Sequence, residues 1–337
     1  MGQPQTLRKL NRRHVLQALL DAPALTRPQL AEQLGLSKVT VAAIVQELLE
    51  HQVVGLSALP GQAIGRTPQA VQLSPTIGTA LAIDLQAHSI QGQAFSLHGD
   101  RTSSFGQLIA PQDVVSAAER IIREVYTTAP FGPLSSVVVS VPAPVDPLGR
   151  IGEPNALSSF DPTPLHAAAR ELELDVVYEN DANLVALALS CCYPDSTTLA
   201  AVIERPTGIG MGLILNGQLY RGPQGRAGEL GNAPWPGQQG VTCIEQLPVA
   251  ERLDATAYSL AGLAIGLDLE HLLLVFEEAE QLASRLRRLL DPGVKLTLPP
   301  SSSGLPLQGA GLLARRRASA RLLDSLADLR NLEPHVA

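Results

Sequence analysis

Residues 26–50 read TRPQLAEQLGLSKVTVAAIVQELLE and carry two helix-start signals separated by a glycine turn. Thr26 can cap the free amides of a helix while Gln29, three residues on, reaches back to it, and Pro28 sits in the first turn, where its missing N–H costs nothing. Leu30, Ala31 and Leu34 recur at helical spacing. Gly35 permits the left-handed backbone that ends this helix, Leu36 anchors the turn, and Ser37 caps a second helix beginning near Lys38. The second helix buries Val41, Ile44, Val45, Leu48 and Leu49 and leaves Ser37, Lys38, Thr40, Ala43 and Gln46 at or near its outer face. The pattern predicts a helix-turn-helix. A helix entering the DNA major groove reads bases mainly through its N-terminal residues, which nominates Ser37, Lys38 and Thr40 for phosphates or base edges. An ordinary helical hairpin inside a core is the alternative reading of the same stretch.

The flanks favour DNA. Upstream, Asn11 to Leu20 (NRRHVLQALL) predicts a preceding helix with Val15, Leu16, Leu19 and Leu20 inward and Arg12 and Arg13 exposed. Downstream, Val53 to Ser57 and Ala70 to Leu73 are short strand-like runs joined by Pro60, Gly61, Gly65 and Pro68, the composition of a β-wing. Together these predict a winged helix over residues 1–75, wing and linker included. Arg27 adds a cation to its face. Arg66, between Gly65 and Pro68, is a candidate minor-groove or phosphate contact, with a solvated linker arginine as an equal alternative.

Charge is distributed to match. The chain of 337 residues carries −7 overall, yet residues 1–70 hold seven Lys/Arg against four Asp/Glu, leaving +3, while 18 against 28 in the remainder leave −10. Only the first segment suits a phosphate backbone. A hydrophobic content of 45% with 17% charge supports two to three cored domains. No run of about 18 uncharged apolar residues and no apolar leader is present, so the expectation is a cytoplasmic protein with no membrane partner. Adjacent Cys191 and Cys192 and a separate Cys243 make neither a disulfide framework nor a metal set.

The rest alternates strand and helix. Leu81–Leu85 and Gln91–Leu97 read as strands, Val114–Tyr126 as an amphipathic helix, Val137–Val141 as a buried strand, Leu165–Leu172 as a helix, and Val176–Tyr178 as a strand running into Glu179-Asn180-Asp181-Ala182-Asn183 and the helix Leu184–Ser190. A second round follows: the strand Leu199–Glu204, the glycine-spaced Thr207–Gly212, an Asn216-Gly217 hairpin, a glycine-rich loop from Arg221 to Asn232 enclosing Glu229, and helices near 244–253, 257–267 and 277–290. This predicts an α/β body in two halves, 76–195 and 196–337, with a cleft between them.

A winged helix joined by a Gly-Arg-x-Pro arm to VPAPVDPLGRIGEPN, then ENDAN, then TGIGMGLILNGQLYRGPQGRAGELG, resembles the transcriptional regulators of the ROK family (repressors, open reading frames and sugar kinases), nearly end to end and in order. The resemblance implies a duplicated actin/hexokinase-like (ribonuclease H-like) body, a sugar cleft, and a homodimer or tetramer on a pseudo-palindromic, double-stranded operator. In the family's enzymes the aspartate of ENDA is the general base toward a sugar hydroxyl, and Asp181 stands there. The phosphate machinery departs from that pattern. Asp84 is followed by Leu85-Gln86-Ala87-His88-Ser89, with no glycine, and the strand Leu272–Phe276 leads into Glu277-Glu278, whose charges repel phosphate. The relatives' zinc histidine is Asn232, and their cysteine run is PGQQGVTCIE.

What remains is a hydroxyl-binding set, Asn155, Asn180, Asp181, Glu229 and Glu245, with Asn232 in place of a histidine. Turn and cap hydrogen bonds are the alternative for Asn155 and Asn183. The sequence therefore predicts a repressor that senses a sugar or related polyol, with no catalytic residue in use, Asp181 being vestigial as a base, and with no metal and no cofactor. Two rivals stand beside it: an active sugar kinase with an accessory DNA domain, and a regulator that no longer senses a small molecule.

Overall fold

The computed structural model describes residues 3–22, 24–58, 69–108, 113–157, 160–205, 208–237, 240–299 and 304–326. The head opens with α1 (Gln3–Asp21), a two-residue β1 (Leu25–Thr26), α2 (Arg27–Leu34) and α3 (Lys38–Glu50), followed by β2 (Val54–Ala58) and β3 (Gln69–Leu73). The capping box forms as its spacing predicts: the Gln29 amide donates to Thr26 Oγ1 at 3.3 Å and the Thr26 amide to Gln29 Oε1 at 2.9 Å. Gly35 takes φ 63°, and the Thr40 amide donates to the Ser37 cap at 3.0 Å. β1, β3 and β2 pair antiparallel with Leu56 opposite Val71, which makes the wing. Residues 59–68, including Arg66, lie outside the described residues.

The first lobe holds β4 (Thr79–Gln86), β5 (Ser89–Ser96), β6 (Thr102–Leu108), α4 (Val114–Thr128), β7 (Leu134–Val141), α5 (Thr163–Glu171), β8 (Asp175–Asn180) and α6 (Asp181–Ser190). The second holds β9 (Leu199–Arg205), β10 (Gly208–Leu215), β11 (Gln218–Tyr220), a hairpin of β12 (Pro234–Gly237) and β13 (Gly240–Cys243), α7 (Val249–Leu267), β14 (His271–Val275), α8 (Ala279–Leu286) and β15 (Lys295–Thr297). The chain closes with α9 (Leu305–Leu326). The sheets run β6-β5-β4-β7-β8 and β11-β10-β9-β14-β15. Numbered within each lobe, both are 3-2-1-4-5, the first three strands antiparallel and the last two parallel. The body is a duplication.

Each sheet buries one face under its own helices, α4 and α5 in the first lobe, α7 and α8 in the second. Between the lobes lies α6. Ala182, Val185 and Ala186 pack on the second sheet, while Leu184 joins α9 and the first sheet's Ala80, Ala82 and Val138. Approach is close because the side chains are small. A Cβ on Gly212 of β10 would collide with the Ala182 carbonyl, and one on Gly309 of α9 with the Leu184 carbonyl.

Two expectations for the second lobe are corrected. A single helix, α7, covers 249–267 where two were expected, because Asp254-Ala255-Thr256 holds no breaker and Ala255 and Thr256 are buried in the core. Residues 244–246 form only a 3-10 turn, and α8 spans 279–286.

Helix α9 runs from the α6 contact to the head. Leu323 and Leu326 complete the head's core beside Val15, Leu16, Val41 and Leu48, and Asp324 pairs with Arg13. Among the described residues no helix is long and apolar enough to cross a membrane.

Candidate ligand cleft and nucleic-acid interface

At the head, the structure sorts the predicted contacts. Lys38 is exposed on the first turn of α3. Ser37 and Thr40 are engaged with each other, Oγ to Oγ1 at 2.8 Å, as part of the cap. Arg27 is half-buried at the start of α2, its Nε without a partner. Arg13 is exposed and tied to Asp324. Arg12 corrects the sequence reading: it is only 7% exposed, because its guanidinium turns inward to Glu47 of α3 at 2.5 Å. Arg8 reaches the same carboxylate at 3.1 Å. Burial pushes the Glu47 carboxyl up, but the two guanidiniums outweigh it and hold the group below its ordinary value. These arginines therefore clamp α1 onto α3.

In the body, β8 ends at Asn180 and delivers Asp181 to the first turn of α6. Asn180 is spent on structure: its Oδ1 accepts the Asn183 amide at 3.2 Å and its Nδ2 donates to the Ala143 carbonyl at 3.1 Å. Asn155 Oδ1 accepts the Leu157 amide at 2.9 Å, and the residue lines a cavity of about 520 Å³ with Phe160, His166 and Tyr178. Asp181 is 7% exposed, and its Oδ1 accepts the Ala182 amide. Burial, with Asp84 and Glu229 nearby, pushes its carboxyl up to about 6 although Arg205 opposes the rise. Glu229 is likewise raised, chiefly by burial and further by Glu245, while Asn232 Nδ2 donates to it at 3.1 Å. Glu245 Oε2 lies over two glycines, 2.7 Å and 2.6 Å from where a Cβ on Gly208 or Gly231 would stand. Asp84, Asp181, Glu229, Asn232 and Glu245 thus form one carboxylate-rich group.

Three second-lobe arginines cross to the first lobe, and the sequence reading nominated none of them for a contact. Arg205 Nε stands 3.1 Å from Asp181 Oδ2. Arg221 pairs with the buried Glu179 at 2.5 Å, and Arg226 donates to the Glu153 carbonyl at 3.1 Å. No local spacing links positions 181 and 205, since only the packing of α6 against β9 brings them together.

The phosphate side is acidic. Glu204 pairs with Arg252 at 2.9 Å, and its carboxyl is raised by burial first and by Glu278 and Glu277 as well. Three carboxylates against one arginine do not fit a nucleotide phosphate. Of the glycines of β10, Gly210 and Gly212 are explained by packing on Ala182 and Ala186 of α6, whereas Gly208 faces the Glu245 carboxylate. For zinc, Asn232 and a solitary half-buried Cys243 do not fit a four-ligand site. The loop after Glu229 is held instead by the β12–β13 hairpin, from which Trp235 stacks on Tyr258 at 6.2 Å.

A winged helix precedes a duplicated 3-2-1-4-5 body whose lobes meet around a carboxylate-rich group, a two-part layout of winged-helix head and duplicated α/β fold. A winged helix-turn-helix DNA-binding model matches residues 8–54 and the ROK family model residues 81–246. The chain carries a ROK family domain behind a winged helix-turn-helix. It is 27% identical over 236 residues to the xylose repressor of Bacillus spizizenii, covering 67% of this chain and 60% of that protein. It is also 30% identical over 201 residues to the N-acetylmannosamine kinase of Vibrio vulnificus, covering 55% and 66%. The chain thus spans about 60% of the length of the xylose repressors it matches. In fold it resembles a ROK family transcriptional regulator, a homolog of the E. coli MLC protein, with a TM-score of 0.64 at 18% identity over 95% of this chain and 99% of the other.

Proposed function

We propose that this protein is a DNA-binding transcriptional repressor whose inter-lobe cleft senses a sugar or related polyol without phosphorylating it. The observation that carries the reading is the unbroken contact from cleft to head: Asp181 opens α6, α6 crosses α9 at Gly309, and α9 ends among the core side chains of the winged helix. A ligand that favours one arrangement of the lobes shifts α9 and with it the head. Only differential affinity for the two arrangements can do this, and a coupling of about 1–3 kcal/mol corresponds to a 5–150-fold change in DNA affinity.

The carboxylates of Asp181, Glu229 and Glu245, with the Asn232 amide, supply acceptors and a donor for sugar hydroxyls. Relatives named xylose repressors make D-xylose the first candidate. Arg205 argues against turnover, since its positive charge 3.1 Å from Asp181 lowers the basicity a general base needs. Glu204, Glu277 and Glu278 argue the same way for the phosphate donor. The head takes double-stranded operator DNA, a homodimer matches a two-fold operator, and the cytoplasm is where such a repressor meets chromosomal DNA.

The test has two parts. Purified full-length protein is used to retain genomic fragments, and its melting temperature is followed across a panel of pentoses and hexoses, since a ligand of the native state raises it. Retained promoter fragments and a rise with at least one sugar are expected. Absence of any rise favours a regulator without a sugar ligand, and sugar phosphate formed on adding Mg-ATP favours the kinase.

A further inference from the structure

The outer face of α3 is short of free polar groups, and its most prominent side chain is apolar. Val39, on the first turn, is 80% exposed, the highest value among the exposed large hydrophobic residues described. Ala42 and Ala43 continue the same face, also exposed. The polar residues around them are committed: Ser37 and Thr40 to each other, and Gln46 Nε2 to Glu50 Oε1 at 3.1 Å. On α1, Arg8 and Arg12 are held by Glu47 and Arg13 by Asp324. Lys38 is the exposed cation on this turn.

A β-branched residue is a weak helix former, and at this position it packs against nothing in the protein, so neither propensity nor core packing accounts for it. In the major groove the apolar feature of a base edge is the thymine 5-methyl group. Resting on the DNA-binding reading above, we infer that Val39 determines sequence specificity by contacting a thymine 5-methyl, with Ala43 against a second thymine. Four helical residues advance about 6 Å, so the two thymines fall within roughly two base steps of about 3.4 Å each. The small Ala42 and Ala43 side chains let the helix approach closely enough for both contacts. Lys38 holds the flanking phosphate, and the operator half-site is A·T-rich where Val39 sits.

The experiment starts from a randomised duplex pool enriched with the full-length protein. Each thymine of the recovered half-site is then replaced singly by deoxyuridine, which removes the 5-methyl alone. Expected is a loss of roughly three- to fivefold at one or two neighbouring positions, the size of one methyl returned to water. Val39→Ala, which keeps the helix, should abolish the loss at one of these positions, and Val39→Ser should do the same, excluding a packing effect. A half-site whose deoxyuridine substitutions all leave affinity unchanged overturns the inference. So does a loss that persists undiminished in both variants. Failure of the pool to enrich any sequence removes the DNA-binding reading itself, an outcome distinguishable from the other two.

Discussion

At the residue scale, the Asp181–Arg205 pair decides what the cleft can do. A buried carboxyl whose value stands near 6 in the folded chain against about 3.8 when unfolded favours its protonated form on folding. Its contribution is therefore most stabilising at low pH, fades as pH climbs from about 4 through 6, and above that leaves a cost on the order of 3 kcal/mol. The melting temperature should accordingly fall between about pH 4 and pH 6 and level off above that. Asp181→Asn should flatten that fall, as differential scanning calorimetry across this range would register, and an unchanged slope would mean that Asp181 ionises without penalty. Arg205→Met should act in the opposite direction. With its opposing cation gone, Asp181 faces Asp84 and Glu229 alone, so the fall becomes larger and extends to higher pH. What the sequence disclosed here was the acidic half of the pair. Asp181 follows from its motif, whereas Arg205 is 24 positions away and meets it only when β9 is laid beside α6. Arg12 teaches the same lesson, since a basic residue in a basic segment looks exposed until Glu47 is folded beneath it.

At the element scale, local signals were accurate and long-range ones silent. The caps at Thr26 and Ser37, the Gly35 turn and the Asn216-Gly217 hairpin involve residues within a few positions of each other, and all form as the residues dictate. Helix α7 runs straight through positions 254–256, between the two helices expected from the sequence, because Ala255 and Thr256 are buried in the core, a choice made by tertiary packing. The role of α9 could not be read at all, because its partners lie 120 to 310 positions earlier. That role gives two predictions. Leu326→Ala removes a buried side chain from the head's core and should cost about 2–5 kcal/mol there. DNA binding should be lost while hydrogen exchange in the body sheets stays protected; equal loss of protection throughout would mean the head is not a separate cooperative unit. Gly309→Ala places a methyl against the Leu184 carbonyl, an overpacking worth about 1–3 kcal/mol or more. It should weaken the response of DNA affinity to sugar more than it weakens DNA affinity itself, as paired titrations of variant and wild type would reveal.

At the scale of the whole molecule, a basic head is tied to an acidic body through α9, which crosses α6 tightly at Gly309. The charge division read from the sequence follows that boundary, and the repeated 3-2-1-4-5 sheets make the body a matched pair of lobes on either side of α6. Three arginines bridging the lobes hold the observed arrangement, and under the proposed function sugar hydroxyls competing for Asp181 and Glu229 would alter it. The most direct measurement is the affinity of the full-length protein for a labelled operator duplex, by fluorescence anisotropy, with and without D-xylose and other sugars at fixed salt. At least one sugar should change the affinity between 5- and 150-fold for the wild type, and Glu229→Gln should blunt that change while leaving the sugar-free affinity intact. Identical operator affinity with every sugar tested would contradict the coupling of cleft to head.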